Sequence, residues 1–334
     1  MTGGAGYIGS HTVKALAGAG YDVWVLDDLS AGHADAVDRI AAAYPARRVE
    51  LIRGSITDRH VVEQALCASG ATAVLHFAAR LVVAESVAEP AKYYHTNVIG
   101  GLTVLEAMAA CGVSRFIFSS TAATFGEPQA TPIDEAHPQR PINPYGQTKL
   151  VLERALRDLD AATGLRHVIF RYFNASGADA DGWLGEDHTP EIHLIPRAID
   201  AALTGRTFEI FGDDYPTPDG TCIRDFVHVS DLATAHVAGL QALERGVPSA
   251  AYNLGMGDGV SVRQVVDAVA RVTGRTVSVV VSPRRPGDPS RLVGSNTRAR
   301  AELGWSPQYD SLDAIVTSAV RWHTSHPQGY RTAR

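Results

Sequence analysis

The sequence predicts a doubly wound α/β fold, a parallel sheet covered by helices on both faces, with a smaller α/β domain after it. Three observations predict it. Through the first half of the chain, short apolar runs alternate with stretches of helical period, and strands buried on both faces read as such continuous runs. Gly3, Gly6 and Gly9 sit at the head of the first helical stretch, where this fold places its tight phosphate-binding turn. After about Asn174 the chain turns to loops rich in Gly, Asp, Ala and Ser, with shorter elements between them. A length of 334 residues suits two domains and can bury a core without disulfide or metal staples.

The elements follow in order. Tyr7 to Ala19 places Ile8, Val13 and Leu16 on one helical face, and Val23 to Leu26 is an apolar strand ending at Asp27-Asp28. Ala34 to Tyr44 and Arg59 to Ala68 read as helices around a strand at Val49 to Ile52. Ala73 to Phe77 and Phe116 to Phe118 are strands, with one long helical region from about Glu89 to Ala110 between them. Tyr145 to Ala162 is helical and Val168 to Tyr172 is a strand. Asn174 to Pro190 and Asp213 to Gly220 are irregular. The predicted division is residues 1–173 and 174–334, with some later segments free to return to the first domain. One element is nearly missing. Only Met1 and Thr2 precede the glycines, although the fold begins with a buried central strand. Either the natural start lies a few residues upstream or the sheet forms without this strand; the first is the expectation.

Composition removes several classes of function. With 30 basic and 36 acidic residues the net charge is −6, which argues against a general nucleic-acid or anionic-membrane binder. Cys67, Cys111 and Cys222 are far apart and form no CxxC pair, so neither a disulfide framework nor a metal site is expected. No apolar run is long enough to span a membrane and no signal peptide is readable. A cytoplasmic protein is the expectation.

The chemistry is concentrated in two motifs. In the run Gly3-Gly4-Ala5-Gly6-Tyr7-Ile8-Gly9, the first spaced glycine permits the turn, the second lets backbone approach a pyrophosphate and the third lets helix pack on sheet. With 31 glycines, such spacing arises by chance in roughly one chain in four, so the context carries it. Asp27 ends the next strand, 18 residues after Gly9. A carboxylate there accepts hydrogen bonds from ribose hydroxyls and repels a 2′-phosphate, which points to NAD rather than NADP. Tyr145 and Lys149 are four apart on a helix and share a face. With 11 Tyr and only Lys14, Lys92 and Lys149 as lysines, a chance pair at this spacing is expected about 0.1 times per chain. A free phenol is a poor base at neutral pH, and a neighbouring ammonium together with oxidised nicotinamide would stabilise its anion. The hydroxyl-rich run Ser119-Ser120-Thr121 follows a strand and would reach the crevice at the sheet's C-terminal edge.

These motifs together resemble the extended short-chain dehydrogenase/reductases. Longer stretches narrow the resemblance to their UDP-glucose 4-epimerase family: GGAGYIGSHTV (3–13), HFAA (76–79), NPYGQTKLVLE (143–153), RYFN (171–174), GEDHTPEIHLIP (185–196), IFGDDYPTPDGTCIRDFVHV (210–229), RRPGDP (284–289) and HPQGY (326–330). The resemblance covers essentially the whole chain and implies NAD as cofactor, a UDP-hexose as substrate and a homodimer formed through helices of the first domain. It implies that the sugar C4 is oxidised with NAD and re-reduced from its other face after the 4-keto sugar rotates. Tyr145 would be the base, Thr121 would hydrogen-bond the C4 oxygen, and Lys149 would hold the nicotinamide ribose and lower the Tyr145 pKa. Cofactor contacts carried over are Gly3, Gly6, Tyr7, Ile8, Gly9, Asp27, Asp28, Ser30, Gly32, Ser55, Ile56, Phe77, Ala78, Ala79, Arg80, Asn97, Thr121, Tyr145, Lys149 and Phe173. Nucleotide-sugar contacts carried over are Thr121, Tyr145, Asn174, His193, Leu194, Phe211, Arg224, Arg285 and Asp288, the two guanidinium groups suiting a diphosphate.

Several positions depart from the family pattern. Ser55 replaces an Asp, His193 an Asn, and Phe226 a Tyr. Leu292 falls near a bulky gatekeeper, which implies tolerance of N-acetylated sugars. Thr121 is followed by Ala122 and Ala123, where dehydratases and decarboxylases of the superfamily carry an acid. A 4-epimerase of UDP-N-acetylglucosamine, a UDP-pentose or a UDP-uronate remains the alternative, and a non-catalytic NAD sensor is the rival from another class.

Overall fold

The structure, a computed structural model, describes residues 1–285 and 288–331. Pro286 and Gly287 of the RRPGDP stretch and residues 332–334 lie outside the described residues. The first half runs α1 (Tyr7–Gly18), β1 (Val23–Asp27), α2 (Ala34–Ala43), β2 (Val49–Arg53), α3 (Arg59–Ser69), β3 (Val74–His76), α4 (Val83–Ala88), α5 (Pro90–Tyr93), α6 (Gly100–Ala110), β4 (Arg115–Thr121), α7 (Pro144–Thr163) and β5 (Arg166–Tyr172). All strand pairs among them are parallel, as continuous apolar strands require.

The first strand is short but placed. Thr2 bridges Leu26 on one side and His76 on the other, both in parallel. Thr2 N–H donates to Leu75 O at 3.0 Å and Phe77 N–H donates to Thr2 O at 2.9 Å. Two residues therefore join β1 to β3 at the centre of the sheet. The long helical region also differs from its prediction. Residues 94–99 form a π-helical turn between α5 and α6, a distortion that often marks function. It turns Asn97 inward, where its amide bonds both the Arg80 main chain and Thr148 Oγ1.

The second half runs β6 (Asn174–Ser176), α8 (Leu194–Thr204), β7 (Phe208–Phe211), β8 (Ile223–Arg224), β9 (Phe226–His228), α9 (Val229–Glu244), β10 (Ala250–Leu254), β11 (Val260–Ser261), α10 (Val262–Thr273), β12 (Val279–Ser282), β13 (Arg291–Leu292), α11 (Thr297–Leu303) and α12 (Leu312–Ser325). β10 rejoins the first sheet beside β5, with Ala250 opposite Val168. The large sheet is then ordered β2, β1, Thr2, β3, β4, β5, β10. One face buries Val25, Ile117, Phe170 and Tyr252, and the other buries Met108, Phe116, Phe118 and Leu152. A separate core forms around Ile195, Ile199, Val265, Val269 and Val316. There, Ser261 and Gln264 close a capping box at the start of α10.

The cores also hold histidines. Burial holds His11 and His236 down to about 4, and His76 and His228 down to about 3. Each stays neutral in the folded protein at pH values where the unfolded chain, with an ordinary value of 6.5, is protonated. Stability from these groups is therefore complete above pH 6.5 and is lost as pH falls from there towards 4. The urea midpoint is expected to decline from pH 6.5 to about 5, before most carboxylates titrate. A midpoint that is flat over that window would show that the four rings are not buried neutral.

Candidate active site

The C-terminal ends of the parallel strands open into a cavity of about 540 Å³ between the two halves of the chain. Its floor is the glycine turn. Gly3 has φ +70°, and a Cβ at Gly9 would lie 2.1 Å from Gly3 O, so both positions need glycine. A Cβ at Gly6 would meet no protein atom closer than 3.5 Å; it would stand in the cavity, where a pyrophosphate belongs. Gly6 caps α1 and no side chain caps the first turn, which leaves its N–H groups for an anion. Asp27 Oδ2 accepts from Ala5 N–H at 3.0 Å and Oδ1 from Leu29 N–H at 2.9 Å. Leu29 takes φ +60° to make that turn, and each oxygen keeps a lone pair for a ribose hydroxyl. Burial pushes Asp27 up while those two N–H groups hold it down. These features fit a bound dinucleotide.

Every carried-over cofactor residue lines this cavity except Asn97. Its amide bonds the Arg80 main chain and Thr148 Oγ1, which places it directly behind the lining residue Arg80. Ser55 Oγ lies 2.8 Å from Thr57 Oγ1, and Thr57 also lines the cavity. Lining residues not anticipated from the sequence include Tyr172, Glu186 and His188. Tyr172 brings its hydroxyl against Ser119 Oγ. The signal for Glu186 and His188 was the run of alternating carboxylates and imidazoles in GEDHTPEIH.

Tyr145 and Lys149 reach the cavity from the first turns of α7. Pro144 opens that helix and Asn143 caps it, accepting from Gly146 N–H at 2.8 Å. A Cβ at Gly146 would lie 2.4 Å from Ala123 O, so glycine lets α7 dock on the segment that carries Thr121. Lys149 Nζ donates to Ser119 O at 2.7 Å. Burial pushes Tyr145 up to about 12, with only the Thr121 hydroxyl opposing. Burial likewise brings Lys149 down to about 7, against the pull of Glu153.

The family model for the NAD dependent epimerase/dehydratase family matches residues 1–255. The UDP-glucose 4-epimerase of Rhizobium meliloti (strain 1021) is 50% identical over 330 residues, 98% of this chain and 98% of that protein. This chain belongs to the NAD dependent epimerase/dehydratase family. Two crystal structures of UDP-glucose 4-epimerases agree with that. One from Brucella ovis, in complex with NAD, is 48% identical with TM-score 0.91 over 96% of this chain and 97% of that one. Another from Bifidobacterium longum, in complex with NAD⁺ and UDP, is 36% identical with TM-score 0.92 over 98% of each.

In this epimerase/dehydratase the remaining candidate residues divide into two groups. Thr121, Tyr145, Asn174 and His193 line the cavity. Leu194, Phe211, Arg224, Arg285 and Asp288 do not. Arg224 instead pairs with Asp288, and the Arg285 guanidinium stacks 3.7 Å from the Phe211 ring centroid. Leu292 joins the groups, because it lines the cavity and stands opposite Arg224 in the β13–β8 pair.

Proposed function

We propose that the protein is a UDP-glucose 4-epimerase, interconverting UDP-galactose and UDP-glucose. The observation that carries this is the meeting of Thr121, Tyr145 and Lys149 in one cavity with the glycine turn; Arg224 stands opposite Leu292, which lines that cavity. When bound, NAD supplies the reversible two-electron oxidation of C4 and a positive charge near the phenol. The chain supplies the rest. Gly3, Gly6 and the start of α1 hold the dinucleotide pyrophosphate. Tyr145 takes the proton from the C4 hydroxyl and returns it to the C4 oxygen of the product. Thr121 donates to that oxygen and fixes its distance from Tyr145. Arg224 and Arg285 grip the UDP diphosphate, so the sugar is held through its phosphates and can turn over between the two half-reactions. Ala122 and Ala123 leave no acid beside Thr121 for an elimination.

Residues 1–173, with β10, form the NAD half of this reading and the rest of 174–334 the nucleotide-sugar half. The assay is purified protein with UDP-galactose, followed by a search for NAD released on denaturation. Formation of UDP-glucose with no net NADH supports the reading; steady accumulation of NADH defeats it. Apolar side chains exposed along α4 to α6, among them Val87, Ile99 and Leu102, support a homodimer through that face. A cytoplasmic location fits the reading, and no helix among the described residues is long and apolar enough to cross a membrane.

Leu292 packs with Phe173 against Ala122, Phe125 and Ile133 at the cavity wall. A short aliphatic side chain there leaves room for an N-acetyl group on the sugar. Leu292→Tyr is expected to lower kcat/KM for UDP-N-acetylgalactosamine at least tenfold more than for UDP-galactose, about 1.4 kcal/mol of discrimination. Equal losses on the two sugars would remove Leu292 from the determinants of specificity.

A further inference from the structure

The loop before α8 brings four potential ligands together at the cavity wall. Glu186, His188, Glu191 and His193 each offer one atom, and the four atoms lie within 4.8 Å of one another. The separations are those of a coordination shell. His188 Nδ1 is 3.3 Å from Glu186 Oε1 and 3.6 Å from Glu191 Oε2. His193 Nδ1 is 3.3 Å from Glu191 Oε1 and 2.5 Å from Glu186 Oε1. A tetrahedron with metal–ligand bonds of 2.0–2.1 Å has edges of about 3.3–3.4 Å. Taken with either single oxygen of Glu191, two of the three separations fall close to that edge, and the His193–Glu186 contact has to open by less than an ångström.

The same atoms are poorly served by hydrogen bonds. Glu186 Oε1, His188 Nδ1 and His193 Nδ1 are buried atoms with no aligned hydrogen-bond partner among the described residues. The Glu186 side chain is only 3% exposed, and a buried carboxylate oxygen with no aligned donor is costly. The carboxylate oxygen faces two imidazole nitrogens, 3.3 Å away in His188 and 2.5 Å away in His193. The scaffold behind is stiff. Glu186 O accepts from Trp322 Nε1 at 3.0 Å, and Glu191 Oε1 accepts from the N–H groups of Ile192 and His193 at 2.8 Å each.

We propose that Glu186, His188, Glu191 and His193 bind one divalent cation of the zinc class. Two imidazoles and two carboxylates form a borderline donor set that suits Zn²⁺ or Co²⁺ better than Mg²⁺ or Ca²⁺. The sequence-based expectation of no metal rested on the cysteines alone, and the proposal departs from it. The bound dication cancels the two carboxylate charges. It also fixes His193 at the wall of the cavity proposed for two anionic nucleotides. Only that consequence depends on the nucleotide reading; the site itself does not.

The test uses tag-free full-length protein, dialysed against chelator and titrated with Co²⁺ alone. One equivalent per chain is expected, with the strong visible ligand-field bands of a four- or five-coordinate ion that Zn²⁺ then bleaches. Glu191→Gln and His188→Ala are each expected to weaken Co²⁺ binding at least tenfold and to change the bands. Glu186→Gln should do the same; if it does not fold, Glu191→Gln on its more open carboxylate decides. Less than one-tenth of an equivalent bound would overturn the proposal in favour of an ion-paired histidine cluster. Binding that survives unchanged in Glu191→Gln and His188→Ala would overturn it as well, because the ion would then sit elsewhere. Neither readout depends on epimerase activity, so failure of the functional reading would leave the result interpretable.

Discussion

Tyr145→Phe is expected to lower kcat about a thousandfold, roughly 4 kcal/mol of transition-state stabilisation. The substitution removes one hydroxyl and keeps the ring that packs at the start of α7. Two facts make the loss large. Thr121 is the side chain beside the Tyr145 hydroxyl, and a threonine cannot act as base at neutral pH. Lys149 is committed to Ser119 O at 2.7 Å, so its amine is not free to replace the phenol at the C4 oxygen. NAD content should be unchanged, because the glycine turn and Asp27 lie on separate elements. KM for UDP-galactose should move little, since the diphosphate grip is remote from C4. A kcat within tenfold of the parent, with NAD still bound, would end the case for Tyr145 as the proton-transfer group. Loss of NAD together with activity would point to a structural role instead.

The reason the phenol needs help is electrostatic. Burial, the largest influence on both, pushes Tyr145 up to about 12 and brings Lys149 down to about 7. Both shifts oppose the charged pair that catalysis requires. In the proposed reaction, positive charge brought in with the oxidised cofactor would favour the ionised tyrosine. The phenol would then hold its proton while that charge is absent and give it back to the C4 oxygen as the charge returns.

Much of this was legible from the chain. The glycine turn, Asp27 and the Tyr145–Lys149 pair could be read because each depends on local spacing: a turn, a strand end and one helical turn. What could not be read depends on long-range placement. Nothing within Ala250–Leu254 says that it pairs with β5 and not with the smaller domain; that choice is made by the α9 crossover. Met1 and Thr2 looked too short to be a strand, and the bridges that Thr2 makes to both Leu26 and His76 have no signature in so short a run. The π-helical turn around Asn97, whose amide bonds Arg80 and Thr148, has no signature in spacing either. The Glu186 to His193 cluster needed the loop's course, and the Lys149 shift needed its burial. Neither property has a signature in spacing.

Removing the charge of Glu153 is expected to be the most destabilising single change in the first domain. Glu153 lies one turn beyond Lys149 on α7 and is fully buried. Its carboxylate accepts from Ser120 Oγ at 2.6 Å, from Arg171 Nε at 3.0 Å, from Arg171 Nη2 at 2.7 Å and from Gln139 Nε2 at 2.9 Å. Arg171 is equally buried, over the Phe125 ring, and its Nη1 has no partner among the described residues. In Glu153→Gln the guanidinium keeps its charge and loses its counter-ion, which costs about 3–5 kcal/mol for a buried pair broken from one side. The double variant Glu153→Leu with Arg171→Met removes both charges and should recover a large part of that loss. Urea unfolding of the parent, both single variants and the double gives the coupling directly. Glu153 is also the group that raises Lys149, so in Glu153→Gln the alkaline limb of the kcat profile should move to lower pH as Lys149 loses its proton earlier. A Glu153→Gln protein within 1 kcal/mol of the parent, with its alkaline limb in place, would show that the pair neither anchors α7 to the sheet nor sustains the charge on Lys149.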